Sequence, residues 1–290
     1  MKTQRTVKTI LYANMMDMGG FPVRQAFPSS KAEAVGPFLL LHHANIKVPS
    51  HIPVLKAGVG PHPHRGFSPV TFIYKGGVHH RDSRGNNHVV YAGGIQWMNA
   101  GMGVIHSERP PQDIHELGGV QELIQLWVNT PAKHKMDEPV YMPLAKEEIQ
   151  TIHSNDGLVS IAVASGSLHQ TKSPIVTHSP VNTYMVHMQK GGKYIFPIEQ
   201  SHEVFVYALH GKILVNQKDE IQANYVAVFD NDGLEIEIEA LEETELLIGT
   251  GEPLNETVAS HGPFVMNTQT EIMEAFRDYQ MGKMGILIEE

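Results

Sequence analysis

Short apolar runs broken by glycine, proline and asparagine recur along the chain: "PVTFIYKGG", "HVVYAGG", "LIQLWVNTP", "LVSIAVASG", "NTYMVHMQKGG", "HEVFVYALHG", "KILVNQ", "YVAVFDNDG" and "LEIEIEA". Each is rich in β-branched or aromatic residues and bounded by turn formers, the pattern of a strand. "LEIEIEA" alternates strictly. It places Ile236 and Ile238 on one face and Glu235, Glu237 and Glu239 on the other, a solvated strand face rather than an acidic site. Many short strands at close spacing predict an all-β fold of sandwiches or barrels. One helix is expected near the end, in "NTQTEIMEAFRDYQMGKMG". Thr268 and Glu271 have capping-box spacing. Ile272, Ala275, Phe276 and Tyr279 follow at i, i+3, i+4 and i+7 as an apolar stripe, and Gly282 is a stop signal. The polar, proline-containing stretch from Pro131 to Asp156 reads as a linker. It leaves two β domains, expected over residues 1–140 and 150–290.

Composition narrows the picture. With 290 residues, 41% of them apolar, the chain can bury a substantial core. Lys plus Arg is 22 against 31 Asp plus Glu, a net charge of −9, which argues against a broad electrostatic grip on nucleic acid or an anionic membrane. There is no cysteine, so disulfides, thiolate nucleophiles and thiolate metal sites are excluded. Any metal must be held by nitrogen and oxygen. No window approaches a membrane span and the first residues lack a secretory apolar core, so the expectation is a cytoplasmic protein.

Eighteen histidines make a single histidine uninformative, but spacing is not. "VGPHPHRGF" sets His62 and His64 two apart, and residues i and i+2 of a strand share a face. Pro63 stiffens the segment. "AGMGVIHSERP" repeats the spacing with His106 and Glu108. Three imidazoles and one carboxylate suit one divalent first-row metal, with a position left for water or substrate. Fe(II) fits this donor set best; Mn, Co, Ni, Cu and Zn stay open. His42–His43 and His79–His80 are adjacent pairs that face opposite ways on a strand. His80 precedes the turn-like "RDSRGN" and is expected to hydrogen-bond rather than ligate.

"HPHRGF", "GGVHHRDSRG", "QWMNAGMGVIHSE", "QLWVNTPAKHKM" and "GPFVMN" followed by "EIMEAFRDYQMGKMG" resemble the pirin family of the cupin superfamily, in order and over nearly the whole chain. The resemblance implies two cupin barrels of the double-stranded β-helix or jelly-roll type with a short C-terminal helix. It implies metal in the N-terminal barrel, on His62, His64, His106 and Glu108. Ser68, the turn Ala92–Gly94 and the "LLLHH" run depart from the common family pattern, which bears on the residues that orient the ligands. The second half lacks a comparable motif: His202 and Glu203 are adjacent and do not share a strand face. Similarity to bacterial pirin-like quercetin 2,3-dioxygenases implies a small polyhydroxylated aromatic substrate and O₂, with ring opening and release of carbon monoxide. Glu108 is then the catalytic base, and Phe67, Gln96, Trp97 and Met98 are candidates for the pocket lining. The alternative is a non-catalytic, metal-dependent regulator that binds a protein partner.

Overall fold

Strand pairing gathers the chain into two units, in a computed structural model that describes residues 3–289. One unit takes the chain up to Met15, Arg24–Leu41 and Ile149–Leu254. The other takes Met16–Val23, His42–Glu148 and the chain from Asn255 onward. The sequence suggests a single cut near residues 140–150; the structure interleaves its segments.

The unit containing the two histidine motifs is a β-barrel. One wall has four antiparallel strands in the order Val59–His64, Val104–Arg109, Gly77–Asp82, Asn87–Tyr91. The facing wall includes Val140–Leu144, Ile95–Asn99, Phe67–Lys75 and Val120–Asn129. The inner faces meet, because the Glu108 side chain of the first wall reaches Thr71, Gln96 and Gln125 of the second.

The stretch expected as a linker is part of this barrel. Val140–Leu144 pairs antiparallel with Ile95–Asn99, setting Tyr141 opposite Met98 and Pro143 opposite Gln96. It is the edge strand of its sheet, where a residue without an N–H is tolerated. That is why proline-broken sequence concealed a strand. Lys135, in the same stretch, is buried and donates to the carbonyls of Gly66 and Val265 and to Asn129 Oδ1 at 2.6–3.0 Å.

The C-terminal segment completes the unit. Helix Gln269–Gln280 begins with the full capping box between Thr268 and Glu271. It buries Ile272 and Ala275, and Phe276 meets Phe264 edge-on at 4.9 Å. Tyr279, expected on the same stripe, is 38% exposed, because the last turn runs past the surface it packs on. Gly282 follows in the left-handed conformation, φ 72°, that ends helices. Strand Phe264–Met266 lies against Gly66, whose φ is +84°; a Cβ there would sit 2.0 Å from Val265 O. Only glycine permits that approach.

The other unit has its own barrel. Val7–Tyr12 pairs with Tyr225–Phe229, and Glu203–His210, Thr244–Gly251, Val181–Met188 and Val159–Ser165 continue the sheet. Its second sheet carries Ile236 and Ile238 inward as the alternation predicts, while Glu239 pairs with Lys193 at 2.9 Å. Aliphatic and aromatic side chains, among them Val206, Ile213, Phe196 and Ile248, fill the interior. His202 hydrogen-bonds Thr250, and Glu203 accepts the Gly36 N–H. No helix among the described residues is long and apolar enough to cross a membrane.

Candidate metal centre

His62 stands opposite His106, and His64 opposite Val104, on the paired strands Val59–His64 and Val104–Arg109. Two-residue spacing then turns His62, His64, His106 and Glu108 to the inside of the barrel. A ring nitrogen from each of the three histidines falls within 4.8 Å of the others. A β-bulge between His106 and Glu108 interrupts the register, and Glu108 reaches toward the opposite wall. Its Oε1 accepts from Thr71 Oγ1 (2.8 Å) and Gln96 Nε2 (2.5 Å), and its Oε2 from Gln125 Nε2 (2.8 Å). Three neutral donors fix this carboxylate, which, although expected as the fourth ligand, does not join the 4.8 Å cluster of the three imidazoles.

The donor set fits a cation. His62 Nδ1 lies 2.8 Å from Gly60 O, and His64 Nδ1 3.3 Å from Pro263 O. A carbonyl only accepts, so both rings carry their proton on Nδ1. Their Nε2 atoms, 3.1 Å apart, then face each other as two lone pairs. His106 Nε2 is buried with no hydrogen-bond partner. An unpartnered buried nitrogen and two lone pairs in contact are costly unless a positive centre joins them. Burial first, and then the neighbouring His62, pushes His64 and His106 well below the ordinary histidine range, which keeps both neutral and able to ligate.

Around the cluster, Phe67 is buried and meets His64 edge-on at 5.0 Å, backed by Trp127 at 4.3 Å. A cavity of about 10 Å³ lies among His80, His106, Glu108, Gln96, Met98 and Tyr141, room for about one water molecule. Gln96 and Met98 face it. Trp97, between them in sequence, turns to the other face, where its Nε1 donates to Asn99 Oδ1 at 2.8 Å. Ser68 donates to the same oxygen at 2.7 Å.

His79 and His80 part as adjacent strand residues must. His79 bonds Asn87 at the surface, and His80 is buried and bonds Asp82 Oδ2 at 3.0 Å. His80 lies in strand Gly77–Asp82, ahead of the turn, and hydrogen-bonds as expected. Sequence reasoning missed Thr71, Gln125, Asp82 and Tyr141 around the site. Gln125 and Trp127 had a readable signal, two-residue spacing in "LIQLWVN"; the Pro263 carbonyl had none.

Comparison with known proteins places these observations in a family. Residues 20–128 match the model of the Pirin family, and 183–285 match the Pirin C-terminal cupin domain. A Pseudomonas aeruginosa protein with a provisional quercetin 2,3-dioxygenase name is 36% identical over 267 residues, 91% of this chain and 92% of its own. Human pirin is 32% identical over 288 residues, 98% of this chain and 94% of its own. The crystal structure of a quercetin 2,3-dioxygenase from Acinetobacter baumannii superposes with a TM-score of 0.91 at 36% identity, covering 99% of this chain and all of that one.

Proposed function

The chain belongs to the pirin family and has its all-β, two-cupin fold, and on that premise we propose that it is a metal-dependent dioxygenase that opens the central ring of a flavonol such as quercetin with O₂ and releases carbon monoxide. The observation that carries this reading is the triad of inward imidazoles, with the His62 and His64 Nε2 atoms facing each other and His106 Nε2 bare, and a fixed carboxylate lining the same cavity as His106. His62, His64 and His106 would hold one divalent metal, Fe(II) by donor type, with Glu108 as the fourth ligand or its immediate neighbour. Bound there, the metal supplies Lewis acidity and a redox couple for the oxygen chemistry. Glu108 takes the proton of the flavonol 3-hydroxyl. Its three neutral donors aim the carboxylate without quenching its charge, as a base within reach of one acidic proton requires. Phe67 and Trp127 pack an aromatic wall behind His64, and Gln96 and Met98 border the space beside Glu108.

The small size of that space supports a second reading, a metal-dependent regulator that binds a protein partner and turns over no substrate. One experiment separates the two. The protein is purified anaerobically, analysed for metal, and given quercetin and O₂ with and without added Fe(II). About one metal per chain with carbon monoxide release establishes the dioxygenase; metal without turnover moves the role to the regulator. In the dioxygenase case Glu108→Gln puts an amide against three donors, and turnover falls about 10²–10⁴-fold while metal content holds. Unchanged turnover would remove Glu108 as the base.

A further inference from the structure

Of the three clustered imidazoles, two are oriented by backbone carbonyls and the third by another side chain. For His62 and His64 the carbonyls of Gly60 and Pro263 leave no choice of tautomer. His106 has no such acceptor. Its Nδ1 lies 3.4 Å from the Nδ1 of His80, and either nitrogen could donate.

The choice is made one residue farther out. Asp82 accepts the His80 Nε2–H at 3.0 Å. It also accepts the backbone N–H groups of Arg84 and Asn86, and the Asn86 amide at 2.8 Å. Every contact is a donor, so this group is an acceptor-only carboxylate. A neutral His80 with its proton on Nε2 has a lone pair on Nδ1. The only hydrogen bond then open to the pair is His106 Nδ1–H donating to His80, which leaves His106 Nε2 bare. That is the buried atom with no partner.

Cross-strand register holds the parts in place: His106 stands opposite Asp82, and Glu108 opposite His80. The His80 ring lies on Tyr141, 3.9 Å between centroids and 6° between planes, which resists a ring flip. Tyr141 OH donates to Gln96 Oε1 at 2.9 Å, and Gln96 holds Glu108.

We propose that His80 and Asp82 are positioning residues of the metal centre, a two-step relay that fixes the tautomer and orientation of His106 and carries carboxylate charge to its ring. Hydrogen bonding of this kind raises a ligand's basicity and tunes the metal. The relay rests on the metal-centre reading above. Asp82→Asn can present an amide N–H to His80 Nε2. The His80 proton then moves to Nδ1, and His106 is driven toward the tautomer that blocks its Nε2. His80→Phe removes the relay but keeps the stack on Tyr141 and leaves Asp82 bonded to the turn.

The test titrates wild type, Asp82→Asn and His80→Phe anaerobically with Fe(II) and Co(II) against a chelator, and records the visible spectrum of the Co(II) forms. Circular dichroism checks the fold of each. The expected result is metal affinity lowered about 10–100-fold in both variants, with a shifted Co(II) spectrum. Wild-type affinity and a wild-type Co(II) spectrum in a folded variant would overturn the relay. A wild-type chain that takes up neither metal would overturn the metal centre and the relay with it.

Discussion

A buried histidine that stays neutral couples this protein's stability to pH. His42 is pushed down to about 4 by burial, and burial also holds His64 and His106 well below the ordinary range. The unfolded chain, with ordinary histidines near 6.5, therefore binds more protons than the folded one between about pH 4 and 6.5. Stability of the metal-free protein is full above that window and falls as pH drops through it. His42 alone removes roughly 2 kcal/mol between pH 7 and pH 5. Urea titrations at the two pH values measure this; equal unfolding free energies would show that His42 opens to water before it charges. At this scale the meeting of His62, His64 and His106 was legible because two-residue spacing maps directly onto one strand face. The His80–Asp82 pair was not. Its meaning depends on which residues the neighbouring strand sets opposite, a register no single segment encodes.

Buried cations join elements at the site, and Lys135 joins three. Lys135 ties the turn after the first histidine motif, through Gly66 O, to Asn129 at the end of a barrel strand and to Val265 in the C-terminal strand. Burial pushes its amine down to about 8, against the pull of Glu256 and Glu271. Lys135→Met removes three buried hydrogen bonds at once and is expected to cost about 3 kcal/mol, a fall of roughly 6–12 °C in Tm. Scanning calorimetry reads it directly, and an unchanged Tm would mean that water replaces the amine. The segment around Lys135 was misread as a linker for a related reason. Its strand is short, lies at a sheet edge and contains Pro143, so it lacks the alternation that marks "LEIEIEA". The helix was read correctly from its cap, which is local chemistry; the exposure of Tyr279 was not, because it depends on where the supporting surface ends.

For the whole molecule, the all-β class and the presence of two barrels follow from strand pattern and family likeness, but the interleaving of segments does not. Periodicity reports which face of a strand is apolar and says nothing about which distant strand it joins. The first strand pairs at Tyr225–Phe229, and the last segment packs beside the first histidine motif. A chain ending at Leu254 would lose the Pro263 carbonyl and the buried Phe264, Met266, Ile272, Ala275 and Met284. Five such side chains are worth on the order of 10 kcal/mol of burial, comparable to the stability of a domain. The truncated protein is expected to bind no metal and to lose one thermal transition while the barrel around Val206 and Ile213 keeps its own. Full metal occupancy in the truncated chain would contradict this.

The Pro263 carbonyl behind His64 also imposes an order of events during biosynthesis. The imidazoles emerge from the ribosome early, and the acceptor that aligns one of them emerges about two hundred residues later. A nascent chain therefore presents its histidines before the carbonyl that orients His64 exists. Alignment of His64 is therefore a property of the folded unit and not of the histidine motif alone.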